Sequence, residues 1–131
     1  LEEARKELLG SKLTHKMPVL LSEDISSVNI ERKFNYVWAH AVLIHLKNEI
    51  LEDCFAFVSN HLSEQGKFYA TVNIGNRKDD SWQGFPVVWR TLDFYKDVAS
   101  SYGLTVQDIG SRQEFGLTYQ NTMKMLKIYK K

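Results

Sequence analysis

The chain has 131 residues, enough for one domain, and 44% of them are hydrophobic, enough for a real core. Lys and Arg total 17 against 16 Asp and Glu, a formal charge of +1, which gives no reason to expect nucleic acid or an acidic membrane surface as partner. The lone Cys54 excludes an internal disulfide and a cysteine-based metal cluster. Its place on an apolar helix face marks it as a small buried hydrophobe rather than a nucleophile, and no metal site is expected. No apolar run approaches the roughly 18 residues of a membrane span, and nothing at the start resembles a signal peptide, so a soluble, cytoplasmic chain is expected.

Residues 1–10, LEEARKELLG, form a helical pattern with Leu1, Ala4, Leu8 and Leu9 on one face and Gly10 as its stop. No capping residue precedes it, which reads as a cut through a longer protein. Residues 17–21 behind Pro18 read as a short strand ending near Ser22. Asp24 then stands just past the strand's carboxyl end. There it either accepts hydrogen bonds from a ligand or caps a turn, the commoner task for this residue.

Residues 34–46, FNYVWAHAVLIHL, open as an almost unbroken apolar run, the pattern of a strand buried on both faces. Phe34, Tyr36, Val37 and Trp38 favour strands, and Ala39, His40 and Ala41 lead toward a helix. Ligands in open parallel sheets bind at the carboxyl ends of strands, so residues 39–45 are the expected functional lip.

Residues 48–62 place Leu51, Cys54, Phe55, Val58 and Leu62 three and four apart, an amphipathic helix with Asn48 as its expected N-cap. A turn, SEQG, and an alternating strand over 67–74 follow, completing a right-handed βαβ unit. Residues 75–89 read as a loop at the carboxyl end of that strand, where Trp82, Phe85 and Trp89 either wall a substrate pocket or tack the loop down. Thr91 caps a helix over 92–102 that Gly103 ends. Residues 104–109 form a strand, and a final strand over 119–129 returns antiparallel, because a parallel return needs a dozen or more residues. The expected fold is α/β: a mostly parallel sheet with helices on both faces and a C-terminal antiparallel hairpin, in one domain with no internal repeat.

In wording and order the chain resembles the C-terminal two thirds of a class I S-adenosylmethionine-dependent methyltransferase, a Rossmann-like fold. LEEARKELLG is similar to the helix after that family's second strand, and VLLSEDI to its third strand with the acidic residue at the adenine. FNYVWAHAVLIHL resembles the fourth strand and following turn, LSEQGKFYATV the "L-x-P-G-G-x-L" turn and fifth strand, and SYGLTVQDIG the approach to the sixth. The resemblance implies that Asp24 and Ile25 lie along the adenine of S-adenosylmethionine and that Ala39 and His40 border its methionine part. His45 matches a histidine near the methyl-transfer site of some members. Imidazole titrates near neutral pH, so His45 could take a proton from a hydroxyl or amine acceptor, orient that acceptor, or merely pack.

The departures are specific. The family's glycine-rich loop is not matched, no G-x-G occurring in the 131 residues, and the acidic residue that ends the family's second strand is not matched either. Asn35 stands where many members have Asp, and Glu64 and Gln65 replace a Pro-Gly pair. Two classes of function follow: methyl transfer to a small or medium acceptor, with the chain alone inactive, or a non-catalytic methyltransferase-like remnant or interaction module. The family's first strand lies beside its fourth, so the edge of the strand from Phe34 to Trp38 is expected to be covered by residues 19–21, by a missing N-terminal segment or by self-association.

Overall fold

The computed structural model describes Glu3, Lys6, Leu21, residues 23–111 and residues 123–131. The expected helix over 1–10, apart from Glu3 and Lys6, and the expected strand over 17–21, apart from Leu21, lie outside the described residues, as does the connection over 112–122.

Strand β1 (Phe34–Ala39) leads through a 3-10 turn (Leu43–His45) into helix α1 (Asn48–His61) and strand β2 (Leu62–Asn73). A small hairpin, β3 (Asp80–Trp82) and β4 (Phe85–Val87), precedes helix α2 (Leu92–Ser101), and β5 (Leu104–Ser111) and β6 (Met123–Lys130) follow. The main sheet has the order β1-β2-β6-β5. β1 and β2 pair in parallel, whereas β6 runs antiparallel to both β2 and β5. The sheet is therefore mixed: three strands point one way, but only one neighbouring pair is parallel.

The apolar spacing of the sequence builds the core directly. Leu51, Cys54, Phe55 and Val58 of α1 and Tyr95 and Ala99 of α2 are buried against Phe68, Ala70 and Val72 of β2 and Leu126 and Ile128 of β6. Phe55 meets Phe68 edge to face, with centroids 6.3 Å apart, and burying such a ring contributes roughly 1.5 to 3 kcal/mol. Ser59 Oγ donates to Tyr102 O at 2.8 Å, linking the two helices. Both described helices thus cover the same face, as two right-handed crossovers advancing in one direction require. The expectation of helices on both faces is not met by the described residues.

Four local expectations need correction. β1 is not buried on both faces: Tyr36 is 74% and Trp38 59% exposed. The reason is that Tyr36 and Trp38 alternate onto the sheet face that neither described helix covers, while Val37 and Ala39 turn toward the helices. Asn48 is not the N-cap of α1; Lys47 is, without a side-chain bond, and the Asn48 amide is spent on Arg90. The SEQG segment is not a free turn but a bulge at the start of β2: Phe34 pairs with Leu62 and Tyr36 with Lys67. Ser63 Oγ donates across the gap to Asn35 Oδ1 at 2.8 Å. Residues 75–89 are not irregular throughout, since Gln83 and Gly84, at φ 50° and 84°, close a two-residue hairpin whose twist suits its strands.

Other expectations hold in detail. Thr91 Oγ1 accepts from Phe94 N at 3.1 Å and starts α2, and Gly103, at φ 73°, ends it. Leu104 pairs with Lys130 and Val106 with Ile128, as the antiparallel return requires. No described helix is long and apolar enough to cross a membrane.

Candidate functional site

The site grows from the carboxyl end of β1, where the chain must leave the sheet. Ala39, nearly buried, is the strand's last residue. Two residues on, Ala41 sits at φ 55°, a left-handed conformation that costs a residue with a Cβ about 1 to 2 kcal/mol. Its N–H donates to Thr71 Oγ1 at 2.7 Å, and Thr71 is fully buried on β2. Strain held in place by a neighbouring strand is the kind of feature that gathers at functional sites.

The chain then forms the 3-10 turn, with His45 N bonded to Val42 O at 3.0 Å and Leu46 N to Leu43 O at 3.2 Å. Leu43 and Ile44 are buried and anchor it. Val42 and Leu46 flank the turn on one side, where they line a cavity of about 410 Å³ together with Asp24, Ile25, Ala39 and Cys54. Three of the four residues expected at the cofactor, Asp24, Ile25 and Ala39, therefore share one apolar cavity. His40, exposed at the strand's end, does not line it. Burial pushes the Cys54 thiol up to about 11, so no thiolate is available there at neutral pH.

Asp24 is fully exposed and caps its own turn. Its Oδ1 accepts from Ser26 N at 3.1 Å and from Ser26 Oγ at 3.0 Å. The Ser26 backbone bond, then the Ser26 hydroxyl bond, holds its carboxyl below the usual carboxylate range. Capping and lining the cavity are thus compatible, because an ionised carboxylate has acceptor positions to spare.

On the other side of the turn, His45 meets the hairpin. Its Nδ1 lies 2.7 Å from Pro86 O. A carbonyl only accepts, so in the neutral ring Nδ1 carries the proton and Nε2 presents a lone pair. The Trp82 ring lies 6.1 Å away at 26° and the Phe85 ring 6.1 Å away at 58°. Both aromatics are 56% exposed. Val88 N donates to Ile44 O at 2.8 Å, docking the hairpin against the turn.

Trp89 lies apart from that cluster, lining a separate cavity of about 360 Å³ with Gly75, Arg77 and Arg90. Gly75 N bonds to Arg90 O at 3.0 Å and Arg90 N to Asn73 O at 3.3 Å, which draws this stretch onto the end of β2. There Trp89 packs beside Gly75 and under Arg77, whose guanidinium lies 4.9 Å from its ring centroid. A larger cleft of about 690 Å³ lies between residues 25–33 and α1. Its buried His61 has both nitrogens engaged, Nδ1 with Phe57 O at 2.8 Å and Nε2 with Ile30 N at 3.4 Å, so it fastens the segment rather than facing a ligand. Among the described residues no group of His, Cys, Asp and Glu could hold a metal.

Sequence reasoning missed Thr71, Pro86 and Arg90, all of which act on residues distant in the chain. Alternation alone would assign Thr71 to the polar face of β2, and nothing local marks its hydroxyl as an anchor.

Comparison with known proteins bears on the fold. No family model and no curated protein matches the sequence, whereas solved structures match the fold. The mitomycin 7-O-methyltransferase MmcR superposes with a TM-score of 0.74 and 13% identity, over 99% of this chain and 39% of that one. An S-adenosylmethionine-dependent methyltransferase from Clostridium acetobutylicum gives 0.73 and 17%, over 98% of this chain and 70% of that one. The magnesium protoporphyrin IX methyltransferase of Synechocystis, solved with bound S-adenosylmethionine, gives 0.70 and 12%, over 99% and 54%. The chain thus has the class I methyltransferase fold and spans about two fifths of the mitomycin enzyme.

Proposed function

We propose that these residues form part of an S-adenosylmethionine-dependent methyltransferase site, with the adenine of the cofactor in the apolar cavity and the methyl acceptor beside the hairpin. The observation that carries the reading is the 3-10 turn: Val42 and Leu46 on its one side line the cavity, and His45 on its other side faces Trp82 and Phe85. The residues fit the cofactor's base. A cavity of about 410 Å³ is within the range of small-molecule sites, and its apolar walls suit a flat heterocycle, with the Asp24 carboxylate able to accept from an exocyclic amine. His40, at the end of β1, would lie toward the methionine part.

The bound cofactor would supply an electrophilic methyl group. The chain's task is to hold the acceptor in line and to manage its proton. His45 Nε2 can accept a hydrogen bond from an acceptor hydroxyl or amine because Pro86 O holds the proton on Nδ1. Trp82 and Phe85 offer apolar ring faces to the acceptor, a small or medium molecule. Trp89, packed under Arg77, has no part in this acceptor wall.

Binding by the 131 residues alone should be weak. Two polar contacts of roughly 0.5 to 1.5 kcal/mol each do not offset an association cost of about 4 kcal/mol or more. The glycine-rich turn that the resemblance implies is not among these residues. A further segment or second chain would add along the edge of β1 that no described strand covers. Titration with S-adenosylmethionine and S-adenosylhomocysteine, followed by backbone amide NMR, tests the site: shifts should concentrate at Asp24, Ile25, Ala39, Val42 and Leu46, at millimolar ligand and without turnover. Shifts confined to other surfaces would overturn the reading, and micromolar binding would overturn the claim that a further surface is needed.

A further inference from the structure

We infer that Arg90 is a positioning residue that fixes the 3-10 turn, and with it the His45 imidazole, relative to the acceptor hairpin. Arg90 is 5% exposed, and no Asp or Glu pairs with it among the described residues. Withdrawing a guanidinium from water is costly unless its donors are satisfied, and here neutral acceptors satisfy them. Nε and Nη2 both donate to Asn48 Oδ1, at 3.0 and 2.9 Å. Nη1 donates to Leu43 O at 3.3 Å and to Tyr95 Oη at 3.2 Å, and Nη2 also donates to Leu46 O.

Four of these five bonds end on residues 43–48. They gather the carbonyls on either side of His45 and the first residue of α1 around one planar fork, a geometry that lysine cannot supply. The Arg90 backbone is fixed in turn, since its N–H donates to Asn73 O and its carbonyl accepts from Gly75 N at the end of β2. The same short segment carries Pro86, whose carbonyl accepts from His45 Nδ1, and Val88, whose N–H donates to Ile44 O. His45 is thus held from both directions by residues 86–90. Arg90 touches no reacting group, so it acts through the turn, and misplacement by about an ångström is enough to matter for in-line transfer.

The inference rests on the reading of His45 as the acceptor-side group, but its test needs neither cofactor nor acceptor. Imidazole 15N NMR of the full chain, with exchange of the His45 Nδ1 proton, is compared for the native chain, Arg90→Lys, Arg90→Met, Asn48→Ala and Tyr95→Phe. Arg90→Lys and Arg90→Met should lose the fixed Nδ1–H tautomer and exchange that proton at least tenfold faster. Asn48→Ala should give a smaller acceleration, and Tyr95→Phe, which removes only the bond to α2, should stay within twofold of the native chain. Folded Arg90 variants with a native His45 signature would overturn the inference. So would unfolding of Arg90→Lys, Arg90→Met and Asn48→Ala alike, which would make the role one of general stability. Failure of the S-adenosylmethionine titration would instead strike the functional reading and leave the positioning result standing.

Discussion

Replacing Thr71 with valine keeps the volume and branching of the side chain and removes one acceptor. In the native structure Thr71 Oγ1 takes the Ala41 N–H at 2.7 Å, so Thr71→Val leaves that N–H facing a methyl group inside the sheet. An N–H buried without a partner costs roughly 1 to 3 kcal/mol. Ala41 is half-buried and water can reach part of it, which favours the lower half of that range. The strain at Ala41, φ 55°, then has nothing to hold it, so the loop between Ala39 and Leu43 should relax toward commoner backbone angles. Urea denaturation should show a loss of about 1 to 2 kcal/mol with an unchanged slope, and the Ala41 amide should exchange faster by more than this global loss explains. Ala41→Gly serves as a control: it relieves the left-handed strain but adds chain entropy of about 0.5 to 1 kcal/mol, so its net effect should stay within about 1 kcal/mol. An unchanged midpoint with unchanged Ala41 exchange in Thr71→Val would refute the claim that this bond anchors the site.

Gly66→Ala would place a Cβ 2.9 Å from the backbone oxygen of Phe34 and 2.7 Å from Leu62 Cδ1; overpacking of this kind costs about 1 to 3 kcal/mol, and thermal melts should show it, with NMR changes concentrated in β1. Phe55→Ala removes a fully buried ring and should cost roughly 3 to 5 kcal/mol by denaturant titration. The Cys54 thiol, raised by burial from 9.0 to about 11, should resist alkylation at neutral pH in the native chain and react on unfolding. Because the unfolded thiol ionises first, its contribution to stability is complete below about pH 9 and is lost as pH rises through about 11, a decline on the order of 2 to 3 kcal/mol. Cys54→Ala should flatten that decline but not abolish it, since burial also raises Tyr95, against opposing Arg90 contributions.

What the sequence made legible is what local chemistry decides. Leu51, Cys54, Phe55 and Val58 at helical spacing can bury one face only, and Thr91 and Gly103 mark helix ends by their own side-chain and backbone preferences. Strand direction followed from connection length. The failures share a different cause. The exposure of Tyr36 and Trp38 depends on which elements cover the two faces of the sheet, and the same six residues would read identically with both faces covered. Gln83 is an uncommon residue at φ 50°, so the hairpin lacked the Asn-Gly or Asp-Gly signal that announces such turns. Asn48 looked like a cap because asparagine commonly is one, and only the arrival of Arg90, 42 positions later, gave its amide another task. At the site, His45, Trp82 and Phe85 were legible as chemistry and come together; Trp89 was separated from them by the bridge between Ile74 and Arg90.

The 3-10 turn explains why the two halves of the proposed site cannot be tuned independently. Val42 and Leu46 press against the cavity, while His45, between them in sequence, is bonded to the hairpin. Leu43 and Ile44 sink into the structure between these outward-facing groups. A substitution that shifts the turn toward the cavity therefore moves the imidazole away from Pro86 O, and one that draws the hairpin outward opens the cavity wall at Leu46. Rigid short turns transmit displacement because they have few soft torsions and, here, no unsatisfied carbonyl at either Leu43 or Leu46. In the proposed methyl-transfer site that coupling would be useful, since the reaction requires donor and acceptor at one fixed separation, and a wall shared by the adenine cavity and the acceptor side would tie the cofactor's position to that of the acceptor.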